Sequence, residues 1–205
     1  MSGQHVLGLQ ATSGAWRAYS ARQVDERFKA FATKVLVRDH YTCQFCGFQA
    51  GVAQEVINKD NNYSNNKMEN MVTACVFCSQ CFFIESVGVG DYGGGSLIYL
   101  PEMDQARLNS LCHVLFCAIT NDSGYKSMAQ DIYRSLRGRI DMVEKKFGEG
   151  TSDPAIFGQL LIDINKNKKN TRSDIFKNIC LLPARAKFRK QIEQWAVLAL
   201  EQVSQ

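Results

Sequence analysis

The chain has 205 residues, is 45% hydrophobic and carries a formal charge of +4, enough apolar material for one well-buried core with a small satellite at most. The charge is too mild to announce nucleic-acid binding by itself, and no stretch approaches the roughly 20 apolar residues that cross a bilayer. The opening residues also lack a basic start followed by a long apolar run, so the sequence predicts a soluble, intracellular protein whose eight cysteines serve as metal ligands and core residues rather than disulfides.

In chain order, SARQVDERFKAFATKVLVRD, residues 20–39, places Ser20 and Gln23 in capping-box spacing. Val24, Phe28, Phe31, Ala32, Val35 and Leu36 then share one stripe, predicting an amphipathic helix. Residues 41–101, with cysteine pairs, an asparagine-rich stretch and a glycine-rich run, read as short strands and loops. Asp104 is placed to cap a helix with Leu108, Leu111, Cys112, Leu115, Phe116 and Ile119 inward. A helix over 126–147 turns Ala129, Ile132, Leu136, Ile140, Val143 and Phe147 inward and ends near Gly148 and Gly150; Ser152 and Pro154 open a shorter one. The polar, basic 165–174 reads as an exposed linker. After Pro183 a last helix carries Phe188, Ile192, Trp195, Ala196, Ala199 and Val203 on one face. Its first turns hold Arg185, Lys187, Arg189 and Lys190, against the helix dipole, which makes them either a tolerated solvated face or the face for an acidic partner. The expected fold is mainly α with a small β-hairpin zinc-knuckle module, an α+β class. It forms a single domain over 1–205, with the module and glycine-rich loop embedded at 35–101 and a helical part at 102–205.

Cys43 and Cys46 form one C-x2-C pair and Cys75 and Cys78 a second, 28 residues later. A tight turn lets each pair present two sulfurs to one ion, and Gly47 supplies a positive-φ exit from the first. Four thiolates close a tetrahedral shell around one Zn²⁺, and a closed shell leaves no open position for catalysis, so the zinc is expected to be structural. Cys81 lies at the same interval from Cys78 and competes with Cys75 for the fourth place. MVTAC, alternating like a strand that delivers its last residue to the site, favours Cys75. Cys112, Cys117 and Cys180 read as core. Redox sensing through Cys78 and Cys81 is weakly supported, since nothing marks either as an exposed, low-pKa thiol. GVGDYG, residues 88–93, satisfies G-x-G-x-x-G, but a strand-like SLIYLPE follows where a dinucleotide fingerprint needs a helix. Its glycines read instead as a loop where two backbones pass closely.

VLVRDHYTCQFCG together with MENMVTACVFC resembles the HNH endonuclease family, over residues 35–80 and in scaffold only. That family's working enzymes carry a histidine pair on the hairpin for general-base and metal chemistry. The corresponding positions here are Glu55, Val56, Ile57 and Asn58, and Ser79 follows the second knuckle. The histidines are His5, His40 and His113, none between the knuckles. Glu55, Asn58 and Asp60 would offer oxygen ligands to Mg²⁺, but losing the general base alone removes about 10²- to 10⁴-fold in rate. A working nuclease is therefore not expected. An HNH-like protein that binds or cleaves nucleic acid stands as the alternative.

A longer resemblance runs in order through AWRAYSARQVDERFKAF, RDHYTCQFCGFQA, CFFIESVGVGDYGGGSLIYLPE, LNSLCHVLFCAITNDSGYKS, FGEGTSDPAIFGQL and LLPARAKFRKQIEQWA. These stretches resemble a family of small components of the Dot/Icm type IVB secretion system. The resemblance implies a non-enzymatic subunit of the coupling complex, bound to the cytoplasmic C-terminal tail of the coupling ATPase DotL. It also implies the adaptors IcmS and IcmW as indirect neighbours, a cytoplasmic place at the inner-membrane apparatus without insertion, and no nucleic-acid partner.

Overall fold

The computed structural model describes residues 5–166 and 176–203. Most of the stretch read as a linker lies outside them.

The first helical region is two helices: α1 spans Ala15–Arg22 and α2 spans Glu26–Arg38. Asp25, rather than Ser20, caps α2, its carboxylate accepting from Arg27 N. Val24 lies in the break and is 78% exposed, whereas Phe28 and Val35 are buried with Val56 and Met71 in a small satellite core that Phe31, Ala32 and Leu36 flank.

Strands β1 (Gln54–Asn58) and β2 (Met71–Cys75) pair antiparallel, with Gln54 opposite Cys75 and Asn58 opposite Met71. The long connection between them is folded on its own side chains. Asn58 Nδ2 donates to the carbonyls of Asn62 and Asn65, and Asp60 accepts from Asn62 N, Asn65 Nδ2 and Asn70 Nδ2 at 2.7–2.9 Å. An asparagine-rich run is thus a built loop, because short amides satisfy turn backbone as well as backbone does. Helix α3 (Val76–Ser79) follows β2 directly.

Strand β3 (Gly95–Tyr99) was legible as an apolar run; its partner β4 (Ile179–Pro183) was not, and lies inside the stretch read as helical. The two pair antiparallel, Gly95 opposite Pro183 and Tyr99 opposite Ile179. A Cβ on Gly95 would run into the Leu182 carbonyl, so the glycine-rich run does bring two backbones together, both of them this chain's own. The free edge of β4 is closed by one side chain: Gln105 accepts from Leu181 N and donates to Leu181 O, at 2.7 and 2.9 Å.

Helix α4 (Gln105–Thr120) is capped by Asp104 as expected and buries Leu108, Cys112, Leu115, Phe116 and Ile119. The helix expected over 126–147 breaks at Gly138 into α5 (Lys126–Arg137) and α6 (Ile140–Phe147), burying Ala129, Leu136 and Val143. Ile132, expected inward, is 37% exposed. Gly148 (φ 109) and Gly150 (φ 80) end α6 in conformations that favour glycine. Helix α7 (Pro154–Lys166) starts with proline at its first position, and Asp153 caps it by accepting from Ala155 N and Ile156 N. Helix α8 spans Arg189–Val203, so Arg185 and Lys187 precede it. Phe188, Ile192, Trp195 and Ala196 are buried in the main core. The described residues form a mixed fold, mainly helical, with two small antiparallel sheets. Among the described residues no helix is long and apolar enough to cross a membrane.

Candidate metal centre

The site begins at the end of α2. Arg38 grips Asp39 through two hydrogen bonds of 2.8 and 2.9 Å and reaches the carbonyls of Met68 and Met71. Asp39 in turn accepts from Thr73 N at 2.9 Å. Burial pushes the Asp39 carboxyl up, but the bonds from Arg38 and Thr73 outweigh it and hold its pKa below the usual range. This pair fixes helix, first knuckle and β2 in one frame. The knuckle closes with Cys43 N donating to Phe48 O and Gly47 N to Cys43 O, and Gly47 has φ 77.

The four cysteines Cys43, Cys46, Cys75 and Cys78 are buried, and their sulfurs lie within 4.8 Å of one another. Cys46 Sγ and Cys75 Sγ stand 3.7 Å apart, close to the ~3.8 Å edge of a tetrahedron with Zn–S bonds of ~2.3 Å. The donor set fits a single tetrahedral thiophilic ion. Burial opposes ionisation of Cys43, but the hydrogen bonds it takes from Cys46, Cys75 and Cys78 more than offset this and hold its pKa low, while burial drives Cys75 and Cys78 up. Four sulfurs this close cannot all ionise without a cation between them. Cys81 stands apart: its thiol donates to the Phe77 carbonyl at 3.4 Å, and burial raises its pKa. The sulfur that converges with those of Cys43, Cys46 and Cys78 is thus that of Cys75 and not that of Cys81.

Helix α4 supplies what the sequence reading missed. Asn109 Nδ2 donates to Cys78 Sγ at 3.2 Å, and His113 Nε2 lies 3.3 Å from Cys75 Sγ. The His113 ring stacks between Phe48 (centroids 3.6 Å, 6°) and Phe77 (4.4 Å, 23°), with Trp195 edge-on at 4.9 Å. Burial lowers its pKa to about 3, against the pull of Cys43. The signal available in the sequence was an Asn and a His four residues apart beside Cys112, which puts two polar groups on a helix's inward side. A depression of about 340 Å³ bounded by His5, Leu7, Phe45 and Arg107 reaches Cys46.

The positions weighed for Mg²⁺ are not brought together around an open site. Asn58 is buried, its Oδ1 taking a 2.6 Å bond from Arg22. The Glu55 carboxyl points inward and accepts from Ser79 Oγ, and burial raises its pKa. Asp60 is exposed and occupied by the loop amides. Among the described residues the four cysteines are the one group of three or more His, Cys, Asp or Glu whose donor atoms converge. His40 sits just past α2 with φ 52, its carbonyl taken by Thr42 and Gln49.

Fold and centre together define a small, mainly helical protein with a buried four-cysteine cluster that could hold a metal ion. No protein-family model matches the chain. Over 198 residues it is 66% identical to the type 4 apparatus protein DotN of Legionella pneumophila subsp. pneumophila (strain Philadelphia 1), a match that covers 97% of this chain and 92% of that protein. The chain belongs to the DotN (IcmJ) family of type 4 secretion apparatus proteins.

Proposed function

We propose that the chain is a non-enzymatic adaptor of a type IVB secretion coupling complex, holding one structural Zn²⁺ on Cys43, Cys46, Cys75 and Cys78. In this reading it binds the cytoplasmic C-terminal tail of the coupling ATPase DotL and supports effector recruitment, with IcmS and IcmW attached to the same tail. It sits on the cytoplasmic side of the inner membrane through the ATPase and binds no nucleic acid. The observation that carries the reading is the near full-length identity to DotN. The closed metal shell supports it, because four thiolates leave no coordination position for a substrate.

The knuckles and the β1–β2 hairpin are read as a nuclease-type scaffold turned to structural use. Support comes from the hairpin positions, where Glu55 and Asn58 are engaged by Ser79 and Arg22. A water-activating base would have to be free in the apo protein or released on binding. The test is gel filtration and calorimetry of the full chain with the recombinant DotL tail, alongside plasmid nicking with Mg²⁺ or Mn²⁺. A stable one-to-one complex without nicking is expected. No complex, together with nicking lost in Glu55→Gln, overturns the reading.

A further inference from the structure

Two adjoining depressions, of about 440 and 360 Å³, share the walls Tyr133, Arg137, Ile140 and Arg185. They lie where the C-terminal half of α5 meets the turn between β4 and α8. Tyr133 is fixed at the junction, its hydroxyl donating to Pro183 O at 3.0 Å and accepting from Arg185 N at 3.4 Å. Burial raises the Tyr133 pKa, against the hydrogen bond from the Arg185 amide and the charges of Arg137 and Arg185.

Five other arginines are answered within the molecule: Arg38 by Asp39, Arg107 by Asp104, Arg134 by Asp131, Arg139 by Glu102 and Arg189 by Glu193. Arg137 and Arg185, like Arg17, Arg22 and Arg27, meet no carboxylate within 4.0 Å among the described residues, and they are the two that share the walls of one depression. Arg189, which the sequence offered for an acidic partner, is spent on its own helix, and Lys187 reaches Asp91 only at 3.9 Å.

We infer that the Arg137–Arg185 pocket docks an acidic segment of a partner polypeptide, with a carboxylate between the two guanidiniums and a neighbouring apolar side chain against Ile119, Ile140 and Leu182. A guanidinium takes a carboxylate in bidentate fashion, and these walls suit an aliphatic side chain. Nucleic acid fits less well. It needs a basic track and aromatic platforms for bases, whereas Tyr133 is the one aromatic lining either depression and its ring is packed edge-to-face with Phe116.

The inference rests on the tail-binding reading above, and the occupant is a stretch of that tail. The experiment titrates the recombinant tail into the full, zinc-loaded chain at three salt concentrations. The proteins are wild type, the double variant Arg137→Glu/Arg185→Glu, and Arg27→Glu on α2 as a charge-reversal control, each checked for helicity and zinc content. The double variant is expected to bind at least about tenfold more weakly with a flatter salt dependence, and the control within about twofold of wild type. Wild-type binding that the double variant matches at every salt concentration overturns the pocket while leaving the tail reading intact. Absence of wild-type binding overturns the tail reading itself. A double variant that keeps the tail but loses binding to a single-stranded oligonucleotide would make this a nucleic-acid site and overturn the proposal.

Discussion

His113 Nε2 lies 3.3 Å from Cys75 Sγ, while His113 Nδ1 is buried and meets no hydrogen-bond partner among the described residues. With a cation holding Cys75 as a thiolate, which can only accept, this relationship assigns the tautomer: Nε2 carries the proton and Nδ1 is bare. With its pKa lowered to about 3 by burial, the ring is a neutral donor at physiological pH. With the ion bound, it and Asn109 would each donate to one thiolate, on the side of the centre facing α4.

Outer donors of this kind typically set metal affinity by about 10- to 100-fold. His113→Phe keeps the ring between Phe48 and Phe77 and removes the donor together with the unpaired nitrogen. It is expected to stay folded but to release zinc to a colorimetric chelator at least about tenfold faster, and Asn109→Leu to do the same. Release at the wild-type rate in both would show that α4 packs against the centre without tuning it.

The two competing cysteines give a clean contrast. Cys75→Ala leaves three ligands and exposes the folding free energy of the site, on the order of 10 kcal/mol for a structural zinc, so soluble yield and helicity should collapse. Cys81→Ala removes a thiol that bonds the Phe77 carbonyl and should retain one zinc per chain by elemental analysis. Loss of zinc from Cys81→Ala with retention in Cys75→Ala would reassign the ligand set.

Glu85 sits in a single-turn 3-10 helix (Ile84–Ser86) pressed against α7. Burial raises its pKa to about 7, beyond what the backbone amides of Glu85 and Thr12 take back. A carboxyl whose folded pKa lies above its unfolded one stabilises the fold when protonated. That contribution is complete below about pH 4.5 and lost as pH rises to about 7. Discounted for partial exposure, it amounts to about 1–2 kcal/mol. Buried Glu55 acts in the same direction. Urea midpoints should therefore fall from pH 5 to pH 7.5 in wild type, and the fall should shrink in Glu85→Gln; an equal fall in both would remove Glu85 as its source.

Gly158 lets α7 approach that turn. A Cβ there would run into the backbone nitrogen and Cα of Glu85, and backbone cannot yield as a side-chain end can. Gly158→Ala should cost about 1–3 kcal/mol despite alanine's better helix propensity, read as a lowered Tm by circular dichroism.

What the sequence made legible was local. The α4 stripe and its Asp104 cap, the glycine stop after α6 and the two C-x2-C pairs each sit within a few residues of what they determine. Helix breaks were less so, because Ser20 with Gln23 and the lone Asp25 are rival caps, and packing chose Asp25. Strand β4 was missed because ICLLP is too short for its periodicity to separate strand from helix, and its partner β3 lies some 80 residues upstream. The asparagine-rich stretch read only as part of a region of short strands and loops, because its order depends on which side chain meets which carbonyl. The donors to the sulfurs are non-local for the same reason: Asn109 and His113 lie more than 30 residues after the thiolates they reach.

The central claim, a zinc-structured adaptor of the coupling complex, is tested most directly by purifying the tagged chain from its native host at moderate salt and measuring bound partners and metal in the same sample. The account predicts stoichiometric recovery of the coupling ATPase with about one zinc per chain. Recovery of nucleic acid without that ATPase, or of the ATPase with a zinc-free chain, would contradict it.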